Sequence, residues 1–214
     1  MATELFFIRH GQSVGNLNHA FLGHTDLGLT DLGKAQAEKA SEYLKNLKPD
    51  IIYSSDLKRA YETGLPTAEK VGLPMIKNEN LREIFAGEWE NADFNKLPKL
   101  DPENFSAWIN TFYNARPRGG ESVEELMERI KKVSLQIAKE NDGKRVFIFT
   151  HATPVRLLSA FCQGKKKEEW NLVPWAPNAS TTHMRFEKGV LTLVEYGKAD
   201  YLGEMVTSFE KKEI

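Results

Sequence analysis

Three short apolar runs stand out along the chain, at residues 5–8, 51–53 and 146–149. Each is rich in β-branched or aromatic residues, too short for a helix, and apolar without alternation. That is the pattern of strands buried on both faces of a parallel sheet. Between the first two, Leu32, Ala35, Gln36, Ala40, Tyr43, Leu44 and Leu47 recur at helical spacing, with Thr30 as an N-cap and Pro49 beyond the end. A β–α–β unit follows. A second helix is expected from near Ser55 through Arg59 to about Lys70, stopped by Gly72 and Pro74. In a third, Ser122 and Glu125 make a capping box before an apolar stripe of Val123, Met127, Ile130, Val133 and Ile137, and Gly143 lies past the end. Residues 181–186 and 190–196 are two strand-like runs joined through Lys188 and Gly189, which predicts an antiparallel hairpin at a sheet edge. The expected fold is α/β: a single-domain, three-layer α/β/α arrangement over residues 1–214, with a mostly parallel central sheet and an antiparallel edge.

Between residues 85 and 120 the pattern loosens. Trp89, Phe94, Leu97, Phe105, Trp108, Phe112 and Tyr113 are scattered among Pro98, Pro102 and Pro117. This reads as an insertion with a helix near residues 103–114. It has two equal readings, an aromatic cluster packed on the core and a wall or lid over a site, and one segment can be both.

Composition sharpens the picture in three ways. At 214 residues and 41% hydrophobic the chain can bury one sizeable core. Lys and Arg total 29 against 30 Asp and Glu, so no global field favours nucleic acid, and basic chemistry has to be concentrated in a pocket. The single Cys162 excludes an internal disulfide and fits a reducing compartment; it reads as a small buried hydrophobe. The first apolar run is cut short by Arg9 and His10, so neither a leader nor a membrane span is expected. The expected location is cytoplasmic, with no membrane partner.

The first strand ends in Arg9-His10-Gly11, and ligands of open α/β sheets bind beyond the carboxyl ends of the strands. Arginine can grip phosphate oxygens with two parallel hydrogen bonds, and a glycine permits close backbone approach to an anion. A surface turn with incidental charges would look the same. The strand at residues 146–149 repeats the arrangement with Thr150 and His151, and Thr153 and Pro154 read as the N-cap and first turn of another helix. A helix N-terminus there would favour an anion beside His151.

The string RHGQSVGN at residues 9–16 resembles the RHG-x-x-x-x-N motif of the histidine phosphatase, or phosphoglycerate mutase-like, superfamily. FLGHTDLGLTDLGKAQA (21–37), SSDLKRAYET (54–63), LREIFAGEWE (81–90), GGES (119–122), THATPVR (150–156) and PNASTT (177–182) resemble further family segments in order. The resemblance spans about residues 4 to 195. It implies that His10 is the nucleophile and that Arg9, Arg59 and His151 form a cationic phosphate pocket. Asn16 is a further polar ligand. Glu83 takes the acid/base position, protonating the leaving alkoxide and then deprotonating water, which requires a raised pKa. His10 must be neutral on its attacking nitrogen, so its other nitrogen needs a partner, expected to be a backbone carbonyl of the following loop. No metal and no cofactor are implied.

The family commonly has glycine after the second histidine, where this chain has Ala152 and Thr153. Ala152 is still expected to contribute a backbone contact to phosphate, but a β-branched Thr153 restricts positive φ and leaves the loop path open. His19 and His24 lack companions at metal-ligand spacing and read as loop residues near the mouth of the site. His183 reads as part of a polar strand face, and residues 165–167 as a solvated helix start. After Glu83 this chain has Ile84-Phe85-Ala86-Gly87 where cofactor-dependent mutases typically carry R-H-Y-G, and Arg116 and Arg118 are the basic residues nearby. The expected activity is therefore hydrolysis of a small phosphomonoester. Phosphoglycerate mutation is the alternative, and a non-catalytic phospho-ligand-binding regulatory protein is a third reading. A homodimer is left open.

Overall fold

Successive residues of the first strand face opposite layers. Leu5 and Phe7 pack in a cluster with Val146, Ile148, Ile130, Val133 and Leu158, while Phe6 and Ile8 pack with Phe147, Phe149, Ala40, Leu44 and Ala68. The computed structural model describes residues 1–207. In chain order its elements are β1 (Thr3–Arg9), α1 (Val14–Leu17), β2 (Ala20–Phe21), α2 (Asp31–Leu44), β3 (Ile51–Ser54), α3 (Lys58–Val71), β4 (Met75–Lys77), β5 (Ala92–Asp93), α4 (Leu97–Leu100), α5 (Pro102–Asn110), α6 (Val123–Glu140), β6 (Arg145–Thr150), α7 (Ala152–Cys162), β7 (Thr181–Glu187) and β8 (Val190–Lys198). The sheet order is β4-β3-β6-β1-β7-β8, with β4, β3, β6 and β1 parallel and the β7–β8 hairpin antiparallel on one side. Helices α2 and α3 cover one face and α6 and α7 the other, so the central strands are buried on both sides. This is the expected mostly parallel α/β sandwich with its antiparallel edge.

Local signals set several boundaries. Thr30 Oγ1 accepts from the Gly33 N–H at the start of α2, and the Ser122–Glu125 capping box forms at the start of α6. Two expected starts are corrected. α3 begins at Lys58, not near Ser55, because the Ser55 N–H continues the ladder to the Phe149 carbonyl. The Lys58 N–H is then capped from another loop by Asp26 Oδ1 at 2.6 Å. α7 has His151 as its N-cap, with Thr153 inside the first turn. Short β4, with two of its three residues exposed, follows Pro74 and carried no strand signal.

The 85–120 insertion is a second aromatic core. Trp89, Phe105, Trp108 and Phe112 pack against Val123, Leu126, Met127 and Leu157. Its expected helix ends at Asn110, and a tight turn over Phe112–Asn114 follows. The small β2–β5 ribbon ties the insertion to the loop after His10. Among the described residues no helix is long and apolar enough to cross a membrane.

Candidate active site

The carboxyl ends of β3, β6 and β1 are neighbours in register, Arg9 opposite Thr150 and Ser54 opposite Phe149. The residues that follow each strand therefore converge: Ser55, His151 and His10. The two imidazole rings lie 5.3 Å apart between centroids, tilted by 60°. Beside them the sheet buries Arg9 and Arg59 to 1% exposure and Glu83 to 6%. Burying charge is costly unless it is paired or hydrogen-bonded, so such a group of side chains has to be held by its surroundings.

His10 Nδ1 lies 2.7 Å from the Gly11 carbonyl. A carbonyl only accepts, so Nδ1 carries the proton and Nε2 keeps its lone pair. Burial, followed by the charges of Arg59 and Arg9, lowers the pKa of His10 well below the ordinary histidine value. His151 Nε2 lies 2.9 Å from Ser55 Oγ, and burial, then Arg59, lowers its pKa in the same way. Both rings are neutral at pH 7.

Arg9 Nη1 donates to the Ala176 carbonyl at 2.5 Å. Arg59 donates to the carbonyls of Thr25 (3.0 Å) and Gly23 (2.8 Å), not to Glu62, while its Nε is buried without a hydrogen-bond partner. Burial lowers both guanidinium pKa values to about 10, which leaves them charged at neutral pH. His151 Nδ1 is likewise buried and unpartnered. Buried polar atoms are rarely left so, and an unengaged guanidinium N–H on Arg59 among these side chains suits an anionic guest.

Glu83 is held by backbone. Oε1 accepts from the Ile84 N–H at 2.8 Å and Oε2 from the Thr153 N–H at 3.2 Å. Burial raises its pKa against these bonds. The α7 N-terminus thus gives one of its free donors to Glu83, and Ala152 presents an N–H that no helical carbonyl can reach. Neither Ala152 nor Thr153 adopts positive φ, so the absent glycine costs the loop nothing.

Gly11 has a different part from the one its position suggests. Its N–H donates to Thr63 Oγ1 at 3.0 Å, and a Cβ there would meet the Gly33 carbonyl oxygen at 2.6 Å. The glycine permits contact with α2. Asn16 Oδ1 accepts from Ser13 and from Asn178 Nδ2, which also donates to the His10 carbonyl.

Three supporting groups carried no sequence signal of their own. Ser55 was visible only as a polar residue past a strand end. Asn178, inside the PNASTT segment, holds the His10 backbone. Glu90, the last residue of LREIFAGEWE, accepts from the N–H groups of His24 (2.6 Å), Thr25 (2.7 Å) and Ala86 (3.0 Å), fixing the loop whose carbonyls hold Arg59. Burial pushes the Glu90 carboxyl up, but these hydrogen bonds outweigh it and its pKa is lowered.

The other residues singled out in the sequence are placed as follows. His24 Nε2 lies 3.0 Å from the Glu83 carbonyl, and among the described residues no three His, Cys, Asp or Glu side chains form a metal-holding group. His183 stacks on Phe6 and pairs with Glu4 at 2.5 Å. Residues 167–172 form a 3₁₀ turn, with Lys167 on Glu124 at 3.2 Å. Cys162 is only partly buried at the edge of the core, not the fully buried hydrophobe expected, and desolvation pushes its thiol up to about 12.

The model of the histidine phosphatase superfamily (branch 1) matches residues 5–199, and the chain belongs to that superfamily. It is similar to phosphoserine phosphatase 1 of Hydrogenobacter thermophilus, 28% identical over 97% of this chain and 98% of the relative. The adenosylcobalamin/alpha-ribazole phosphatase of Escherichia coli is 29% identical over 77% and 81%. Among solved structures, a mycobacterial glucosyl-3-phosphoglycerate phosphatase superposes with a TM-score of 0.82 at 28% identity, covering 92% of this chain and 99% of that one.

Proposed function

We propose that this member of the histidine phosphatase superfamily is a phosphomonoesterase that moves a phosphoryl group from a small metabolite to water by way of His10. The observation that carries this reading is the His10 Nδ1 contact with the Gly11 carbonyl, which puts the proton on Nδ1 and leaves an unprotonated Nε2 beside Arg9, Arg59 and His151. In the first step the Nε2 lone pair forms an N–P bond as the ester P–O bond breaks, and Glu83 gives its proton to the departing alkoxide. In the second, water attacks the phosphohistidine, Glu83 takes the water proton, the N–P bond breaks and phosphate leaves. Arg9 and Arg59 stabilise the charge that spreads over the phosphoryl oxygens, together with His151 and with Asn16 and the Ala152 N–H as further donors.

The named relatives are phosphatases, which supports transfer to water. For the mutase reading, Arg116 and Arg118 would have to be available to a substrate carboxylate. Arg116 is paired with Glu125 at 2.5 Å, and Arg118 reaches Asp101 at 3.4 Å and Glu88 at 3.6 Å.

The deciding experiment measures phosphate release from a panel of phosphomonoesters in excess chelator, alongside interconversion of 3- and 2-phosphoglycerate. Release at full rate in chelator without interconversion is expected. Interconversion would establish the mutase, dependence on an added divalent ion would overturn the metal-free step, and binding without turnover would favour a regulatory protein.

A further inference from the structure

Next to Glu83 lies an open depression of about 430 Å³ lined by His24, Phe85, Gly120, Glu121 and Arg129. It adjoins the site through one atom: the Glu83 carbonyl oxygen is 3.0 Å from His24 Nε2 and accepts from Arg129 Nη2 at 3.1 Å. Of its lining residues, Arg129 is the only permanent cation, and its hydrogen-bonding capacity is exhausted. A guanidinium has five N–H groups. Nε and one Nη2 hydrogen go to Glu121, at 2.8 and 2.7 Å, and the other Nη2 hydrogen to Glu83. Nη1 donates to the carbonyls of Asn80 (2.8 Å) and Arg82 (3.0 Å). Arg82 in turn is held through Nε and Nη2 by Asp56.

The remaining surface asks for a different kind of guest. The His24 nitrogen facing the Glu83 carbonyl must carry the proton, so in the neutral ring Nδ1 is an acceptor. Burial lowers the His24 pKa, which keeps that ring neutral at pH 7. Phe85, 42% exposed, supplies an apolar wall with its ring 5.2 Å from that of His24. Glu121 contributes negative charge already matched by Arg129. A carboxylate placed here would find no unengaged guanidinium donor on Arg129 and would lie against the Glu121 carboxylate.

We infer that this depression receives the leaving alcohol of the ester, and that the alcohol carries no carboxylate: its contacts are hydrocarbon against Phe85 and hydroxyl donors toward His24 and Glu121. The inference rests on the phosphatase reading and narrows it to phosphate esters of uncharged alcohols.

The test compares kcat/KM for 3-phosphoglycerate with that for its carboxamide, and with glycerol 3-phosphate, using the full chain. The uncharged esters are expected to be favoured by roughly tenfold or more, the scale of an unpaired like-charge contact. Glu121→Gln, which releases Arg129 donors, should narrow that ratio. Phe85→Lys, at an exposed position, should narrow it independently by adding a cation. Equal rates, or preference for the carboxylate, would overturn the inference while phosphate release from any of the esters left the phosphatase reading standing. No release from any ester, with no phosphoprotein trapped, would remove that reading and the inference with it.

Discussion

Glu83 Oε2 accepts a hydrogen bond from the Thr153 N–H at 3.2 Å, which seats a buried carboxyl on the first turn of α7. Two opposing effects meet there. Backbone donors at a helix N-terminus favour the carboxylate, whereas loss of water favours the acid, and burial wins, raising the pKa above the ordinary 4.5. The carboxyl is therefore an acid to higher pH than a surface glutamate would be. As pH rises through its folded value, the unfolded state, where the group ionises more readily, gains relative stability. Glu83→Gln should lower turnover by about 10² to 10⁴ and remove the alkaline limb of the kcat profile that reports this group. The share of the fall in urea midpoint with rising pH that this carboxyl contributes should disappear in the variant. A midpoint that falls with pH no less steeply in the variant than in the parent would contradict the assignment.

His10 and His151 act with the opposite sign on stability. Both have folded pKa values well below 6.5, so under acid conditions the unfolded chain binds protons that the folded one refuses. Their contribution is present above about pH 6.5 and is lost as pH falls toward the folded values. Each histidine contributes a slope of at most about 1.4 kcal/mol per pH unit. Urea unfolding at pH 7.5 and 5.5 should show the loss, and His151→Gln should flatten it.

His10→Ala should reduce phosphate release by roughly 10⁴ or more, since the proposed transfer passes through its Nε2. Rapid quench with labelled substrate should trap acid-labile, alkali-stable phosphate on the parent protein and none on the variant. Turnover near the parent rate would sink the mechanism.

Arg59→Ala should cost about 10² to 10³ in turnover, the usual effect of deleting one preorganised charge-stabilising donor. Arg59→Lys should recover little, because an ammonium cannot span the carbonyls of Gly23 and Thr25 while presenting a further donor. A loss well under tenfold for the alanine variant would place Arg59 outside the phosphate pocket.

Gln36, fully buried in α2, connects the loop after His10 to the last described residues. Its Oε1 accepts from the Gln12 N–H at 2.7 Å, and its Nε2 donates to the Met205 carbonyl at 2.7 Å and to Thr207 Oγ1 at 2.9 Å. Gln36→Leu removes three hydrogen bonds to partly buried groups and should destabilise by about 1–3 kcal/mol. Guanidinium unfolding measures this. A rise in KM should accompany it, because Thr207 also bonds Asn178, which holds the His10 backbone.

Much of this was legible in the chain because it is local. Continuous apolar runs marked β1, β3 and β6, and the ends of β1 and β6 put His10 and His151 on one edge of the sheet. Thr30, Ser122 and Glu125 capped the helices they were expected to cap, since an N-cap bond joins residues three apart. The tautomer of His10 was foreseeable for the same reason, as its partner is the carbonyl of the next residue.

What the sequence could not determine is where long-range donors and acceptors pair. The α3 start moved because the Ser55 N–H pairs with the Phe149 carbonyl of another strand, and Asp26, 32 residues away, bonds the Lys58 N–H that begins the helix. Gly11 proved to serve a contact with α2, and Glu90 to fix the loop that holds Arg59. The five donors of Arg129 are consumed by carbonyls and a carboxylate from two separate segments. Such pairings leave no periodicity in the chain, because they depend on which surfaces packing brings together. The sequence by itself determined the strand ends, the family and the set of side chains on offer. Only the tertiary structure decided which of those side chains are already engaged and which are left for a ligand, because burial and saturation of hydrogen bonds are properties of the packed molecule.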